Sequence, residues 1–230
     1  RGCGAVASGR SMDGVLGLCN LQNHPAFAPL GGAKSAGNGD LTAGFRFNHL
    51  AGLFGVDMHE QVQDTLRLVY RNTFTEPLLL LCVVVQWVSG MRTAWGLRAA
   101  FAQLGLVERI QVGSGLVLGS FVVIHVAAVL TGRWVTGLDT NFYFAAAGMH
   151  VEPFAWFFGP YYFLGVSALG IHLSCAVWWR LGHWPNRSRR WMAAAVAATG
   201  VLCAALLVLL LAGLVVPVQV PQTYRASFAF

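Results

Sequence analysis

Three polar side chains stand inside long apolar runs: Gln86 in LCVVVQWVSG, His125 in GSFVVIHVAAVL and His172 in SALGIHLSCAV. Hydrocarbon is a costly surrounding for such groups, so each needs a partner or a task. Neutral imidazole is a good iron ligand, and cofactors of helical bundles sit between facing helices, so two histidines so placed point first to haem. The competing chemistry is a hydrogen bond to a carbonyl or serine of a neighbouring helix. The residue types leave the two readings about equal for each histidine, whereas for Gln86 interhelical bonding is the stronger one.

The elements that must position these residues follow from composition. Of 230 residues 56% are hydrophobic and 10% charged, with a mean hydropathy of +0.60. Soluble domains carry roughly 25% charged residues, so much of this surface has to face lipid. A helix needs about 20 apolar residues to cross the hydrocarbon layer. Four runs come near or pass that length: about 77–97, 110–132, 153–179 and 191–216. The expected fold class is therefore an all-α integral membrane protein, a four-span transmembrane helix bundle over residues 58–230. Thr73 and Thr75 before Glu76-Pro77, and Pro153 before the third run, are start signals, and Pro217 is the expected stop of the fourth. Trp95, Trp156, Trp178, Trp179, Trp184 and Trp191 fall near the run ends, as an interfacial belt would.

The rest of the chain is less regular. Residues 58–72 place Val62, Leu66, Val69 and Tyr70 against Glu60, Asp64, Arg67 and Arg71, the pattern of a short amphipathic helix lying at the outer interface on its apolar stripe. Residues 1–57 read as an irregular segment. An uncharged run of membrane length, from Val15 to Ala33, is spoiled as a span by Asn20, Gln22, Asn23, His24 and two prolines. The change of character near Gly44 suggests the remnant of an additional N-terminal helix, truncated or damaged upstream.

Charge and cysteine usage exclude several classes. Lys and Arg number 15 against nine acids, a net charge of +6. In so apolar a chain this reads as loop charge that sets orientation, with no nucleic acid partner. The connections 98–109 and 180–190 hold Arg98, Arg109, Arg180, Arg187, Arg189 and Arg190, which places both on the cytoplasmic side, in the simplest case of a bacterial inner membrane. Five cysteines without a C-x-x-C pair support neither a disulfide framework nor a zinc site.

Depths follow from the rise of about 1.5 Å per residue. His125 should lie ~9 Å inside the outer face and His172 ~12 Å from the inner face, too far apart along the membrane normal to share one iron. Counted the same way, Gln86 lies ~15 Å from the inner face, in the layer of His172. His125 would then pair with a residue upstream, and His49 in FRFNHLAGLFGV is the nearest in sequence.

Three stretches together carry a resemblance: EPLLLL with QWVSG around Gln86, RIQVGSGLVLGSFVVIH ending at His125, and YYFLGVSALGIHL around His172. They are similar to the cytochrome b membrane-anchor subunits of succinate dehydrogenase and fumarate reductase, of the single-polypeptide, five-helix, dihaem type. The likeness covers roughly residues 45–216. It implies that the first four helices each supply a histidine, with helices I and III holding an outer haem and helices II and IV an inner one. His125 and His172 are then surviving haem-iron ligands, His49 marks the end of a first helix, and Gln86 stands in the region of the inner-haem histidine. The implied cofactors are one or two haem b groups, with quinone as substrate. The implied partners are a flavoprotein and an iron–sulfur subunit, in a surround of membrane lipid. Arg109, Gln111 and Ser114 would contact an inner quinone. Against that role, Arg109 also marks a helix boundary, and Ser114 with Gly113 and Gly115 permits close helix packing. Glu76 is read as a proton relay or, more simply, as an acid matched to its helix dipole. In this reading the chain is a non-catalytic electron-transfer subunit of a quinone oxidoreductase complex. A haem-free membrane protein of the same fold is the first alternative, favoured by Gln86. A small transporter ranks third, because the spans have few Pro or Gly breaks and no paired acid.

Overall fold

In a computed structural model the described residues are 56–228, all within the compact unit Gly37–Phe230. His49 lies outside them. Apolar runs with few charges form four long helices, α2 (Thr75–Leu97), α3 (Leu106–Trp134), α5 (Ala155–Arg180) and α6 (Asn186–Leu211). Three shorter ones accompany them: α1 (Val56–Tyr70), α4 (Phe142–Ala147) and α7 (Gln222–Ala226). No strand occurs among the described residues. At about 1.5 Å per residue the long helices exceed the ~30 Å hydrocarbon thickness. The protein is thus an all-α integral membrane bundle with four spans.

Polar groups set the helix ends more than the apolar runs do. At the start of α2 the cap is neither Thr73 nor Thr75. Asn72 Oδ1 accepts the backbone N–H groups of Phe74 and Thr75, at 3.0 and 2.8 Å. Helix α3 starts ahead of its uncharged run because Glu108 reaches back to the N–H of Gly105 (2.6 Å), joining a charge to the first turn where the helix dipole favours it. Helix α6 spans 186–211, in place of the expected 191–216. It stops before Pro217 because Gly213 adopts φ +73° and two bonds close the end, Gly213 N–H to Leu210 O (3.0 Å) and Leu214 N–H to Leu209 O (2.9 Å). This is the Schellman arrangement, which a glycine enters without Cβ strain.

Small residues decide which helices touch. A Cβ on Gly170 of α5 would lie 2.5 Å from the Cα of Gly200 in α6, so the two backbones are in contact there. Phe121 of α3 fills the notch left by Gly165 of α5, and Tyr161 donates its hydroxyl to Phe121 O (3.3 Å). Trp87 of α2 lies on Gly119 of α3, and Glu76 forms an ion pair with Arg133, so these two helices run antiparallel in a defined register. That pairing assigns Glu76 a structural task.

The densest core is at the end of the bundle away from the arginine-rich connections. Phe142, Ala146 and Ala147 of α4 pack with Tyr162, Leu207, Leu210, Leu211 and Val220. Asn141 caps α4 by accepting from Tyr143 and Phe144 N–H. A hydrogen bond joins His150 Nε2 and Leu211 O at 2.9 Å. In the sequence this stretch reads only as a connection, because six helical residues are too few to declare a period.

Helix α1 forms where expected, and its polar side meets the protein. Its contacts come from His59, Gln63, Arg67 and Arg71, spaced four apart on one helical face. His59 meets Phe142 edge-on with ring centroids 5.3 Å apart, and Gln63 Nε2 donates to Thr140 O (2.9 Å). Arg67 grips Asp139 with both terminal nitrogens (2.7 and 3.3 Å), and Arg71 donates to Thr140 Oγ1 (2.6 Å). Leu68 and Val69 are turned outward, 80% and 51% exposed. The polar side meets the bundle because residues 139–142 offer a carboxylate, a carbonyl and a hydroxyl that these side chains satisfy, which leaves the apolar side free to face lipid.

Candidate functional site

Of the sequence-derived site residues, the structure joins His172, Ser114 and Gln111. His172 lies on the face of α5 that meets α3, where a Cβ on Gly115 would stand 3.1 Å from its Cε1. The missing side chain at 115 lets the ring approach α3. His172 Nδ1 is 3.2 Å from Ser114 Oγ, and the Ser114 hydroxyl donates to Gln111 O at 3.2 Å. A serine hydroxyl has one proton: in the tautomer where it goes to Gln111 O, Nδ1 donates to Ser114 and the lone pair is on Nε2, and in the other Ser114 donates to Nδ1. An imidazole whose Nδ1–H is anchored in this way is oriented for ligation through the other nitrogen.

His125 belongs to another layer. It stacks on Phe121 with centroids 5.5 Å apart and an interplanar angle of 20°. Phe121 continues to Tyr161 (4.8 Å), and Tyr161 to Phe157 (5.5 Å), making an aromatic row between α3 and α5. Ser114 and His125 are eleven residues apart on α3, which separates the two imidazole layers by ~16 Å. One iron cannot join them.

Gln86 is not in the layer of His172. With Trp87 on Gly119, Gln86 stands level with Ser120, six residues or ~9 Å along the axis from Ser114. Two offsets produce the difference from the count by sequence. Gln86 lies eleven residues from the end of α2 against eight for His172 in α5, and the ends of these helices are not flush. Gln86 is exposed, and no hydrogen bond of its side chain occurs among the described residues.

Arg109 is already engaged at the start of α3, donating from Nε to Leu104 O (2.7 Å) and from Nη2 to Ala102 O (3.2 Å). Gln111 Oε1 accepts from Trp179 Nε1 (2.8 Å), one helix turn from Ser114 toward the basic end. Gly115 is a close-packing glycine, as the sequence expects, Phe121 lies within the motif that ends at His125, and Trp179 is the site neighbour that the sequence places only in an interfacial belt. The seven-residue step from His172 to Trp179, two turns on one face of α5, is a signal for the last. Among the described residues no group of three His, Cys, Asp or Glu side chains is placed to hold a metal ion. No family model, curated protein or solved structure matches the chain.

Proposed function

We propose that the chain is a b-type cytochrome-like membrane anchor that passes electrons between a peripheral succinate or fumarate oxidoreductase and membrane quinone. The observation that supports this reading is the Ser114-anchored His172, whose Nε2 has the chemistry of an axial ligand inside a bilayer span. His172 and His125 would each hold an iron, their layers ~16 Å apart. The opposite ligand of His125 would come from upstream of residue 56, with His49 the named candidate. A bound haem supplies a one-electron carrier in the apolar interior. Ser114 orients the His172 ring, Gly115 gives it room, and the aromatic row around Phe121 keeps water from His125. Gln111 and Trp179 form the polar edge that a quinone headgroup would meet on its way to this layer. The basic end, with Arg98, Arg180 and Arg187, would face the cytoplasm of a bacterial inner membrane and receive the flavoprotein and iron–sulfur partners.

A reduced-minus-oxidised absorption spectrum of the purified protein tests this. A b-type band is expected, lost in part in His172→Ala, and kept with a shifted midpoint potential in Ser114→Ala. Absence of any band from protein made in haem-replete cells overturns the proposal. A second reading, a haem-free membrane protein of the same fold, is favoured by the displacement of Gln86 from the His172 layer, which leaves no second imidazole in that layer among the described residues. In that case the Ser114–His172 contact is interhelical bonding alone.

A further inference from the structure

The exposed surface of α2 divides into two kinds. Leu78, Leu81, Val84, Val85, Val88 and Trp95 form a broad face of large apolar side chains, which suits lipid. On the flank beside it, exposed Cys82, Gln86 and Ser89 and half-buried Thr93 follow one another at steps of four, three and four residues, the spacing of one helix meeting another alongside it. Ser89 and Thr93 satisfy their hydroxyls within α2, on Gln86 O (3.1 Å) and Ser89 O (2.9 Å). The Gln86 amide has no such outlet among the described residues. Gly90, beside this flank, has nothing within 4 Å of where a Cβ would be, so another backbone can come close.

An amide exposed at mid-span is costly in hydrocarbon and calls for a polar partner at the same depth. Gln86 is the midpoint of α2, eleven residues from Thr75 and eleven from Leu97. Copies of one chain insert in the same orientation, so each brings its own Gln86 to that depth. A primary amide is both donor and acceptor, so Gln86 can satisfy Gln86 across a two-fold axis, a self-complementarity that a closed dimer requires. We propose that this flank of α2 is a homodimer seam, with a second copy packed in parallel about an axis along the membrane normal and the Gln86 amides paired. The seam is independent of the haem reading, because it uses neither imidazole.

The test uses the full chain reconstituted in phosphatidylcholine vesicles, with donor- and acceptor-labelled copies and energy transfer followed as lipid dilutes the protein. Wild type should associate, Gln86→Leu should weaken association about tenfold, and Gln86→Asn should recover most of it. Leucine is apolar and a good helix former, so Gln86→Leu leaves insertion intact. Mild oxidation with copper phenanthroline should give a product of doubled mass that disappears in Cys82→Ser and persists in Cys203→Ser. Unchanged association in Gln86→Leu overturns the proposal, as does a wild type that is monomeric at every dilution. A Cys82 cross-link to Cys3 or Cys19 within one chain, without doubled mass, also overturns it and assigns the flank to the segment before residue 56.

Discussion

Helices α2 and α5 are nearly equal in apolarity, with mean hydropathies of 1.5 and 1.4 over their most apolar stretches, yet none of that stretch of α2 is buried against other described residues and 39% of that of α5 is. The difference lies in side-chain size. Helix α5 buries Gly165, Ser167, Ala168, Gly170, Ser174 and Cys175, which let Phe121 and the backbone of α6 come in. Helix α2 presents Leu78, Leu81, Val84, Val85 and Val88 outward, and its contacts with α3 include Trp87 on Gly119 and the Glu76–Arg133 pair. Lipid is as apolar as leucine, so in a membrane it is close fit and polar pairing, and not greasiness, that bring helices together.

The largest effect should come from breaking the tight side of this contrast. Gly170→Leu puts a side chain where the Gly200 backbone lies and should cost about 3 kcal/mol or more, read as loss of folded protein in a detergent unfolding titration. On the loose side Gly96→Ala meets nothing within 4 Å and should change the same titration by less than about 0.5 kcal/mol. If both variants behaved alike, the distinction between the helices would fail.

Next in size is the clasp between α1 and residues 139–142. Arg67→Ala removes both bonds to a half-exposed Asp139 and should cost about 1 kcal/mol, seen as faster hydrogen exchange of α1 amides while α5 stays protected. Glu60 sharpens the same point through pH. Burial first, then the charges of Asp64, Asp139 and Asp57, hold its carboxyl above the ordinary glutamate value. A raised folded pKa gives stability that is complete below the unfolded value and is lost as pH rises through the folded one. Glu60→Gln should therefore make α1 more resistant to exchange at pH 7 and flatten its response across the weakly acidic range. The smallest effect is expected for Gln111→Leu, which frees the exposed Trp179 indole. It should shift tryptophan emission while changing stability by under about 0.5 kcal/mol.

The spans are legible in the sequence because a charge-free run long enough for the bilayer is hard to accommodate anywhere else, and the separation of His125 from His172 follows from helix rise alone. What stays hidden in the sequence are the contacts that set register. The depth of Gln86 depends on Trp87 choosing Gly119, and no count from the helix ends contains that choice. For α1 the residue pattern yields the period but not the partners of its polar side. The ladder of His59, Gln63, Arg67 and Arg71 is as regular as the apolar stripe, and the deciding partner, Asp139, is remote in sequence. At the site, the Ser114–His172 pair joins residues 58 apart, each ordinary as a type, and only antiparallel packing of α3 and α5 brings them together.

The glycine crossing also bears on how the chain is made. Helices α5 and α6 are joined by only residues 181–185, and their closest backbone approach is Gly170 to Gly200. Such a hairpin can leave the insertion machinery as one unit, already packed. It would then offer the earlier, more loosely packed helices a preformed surface to settle against.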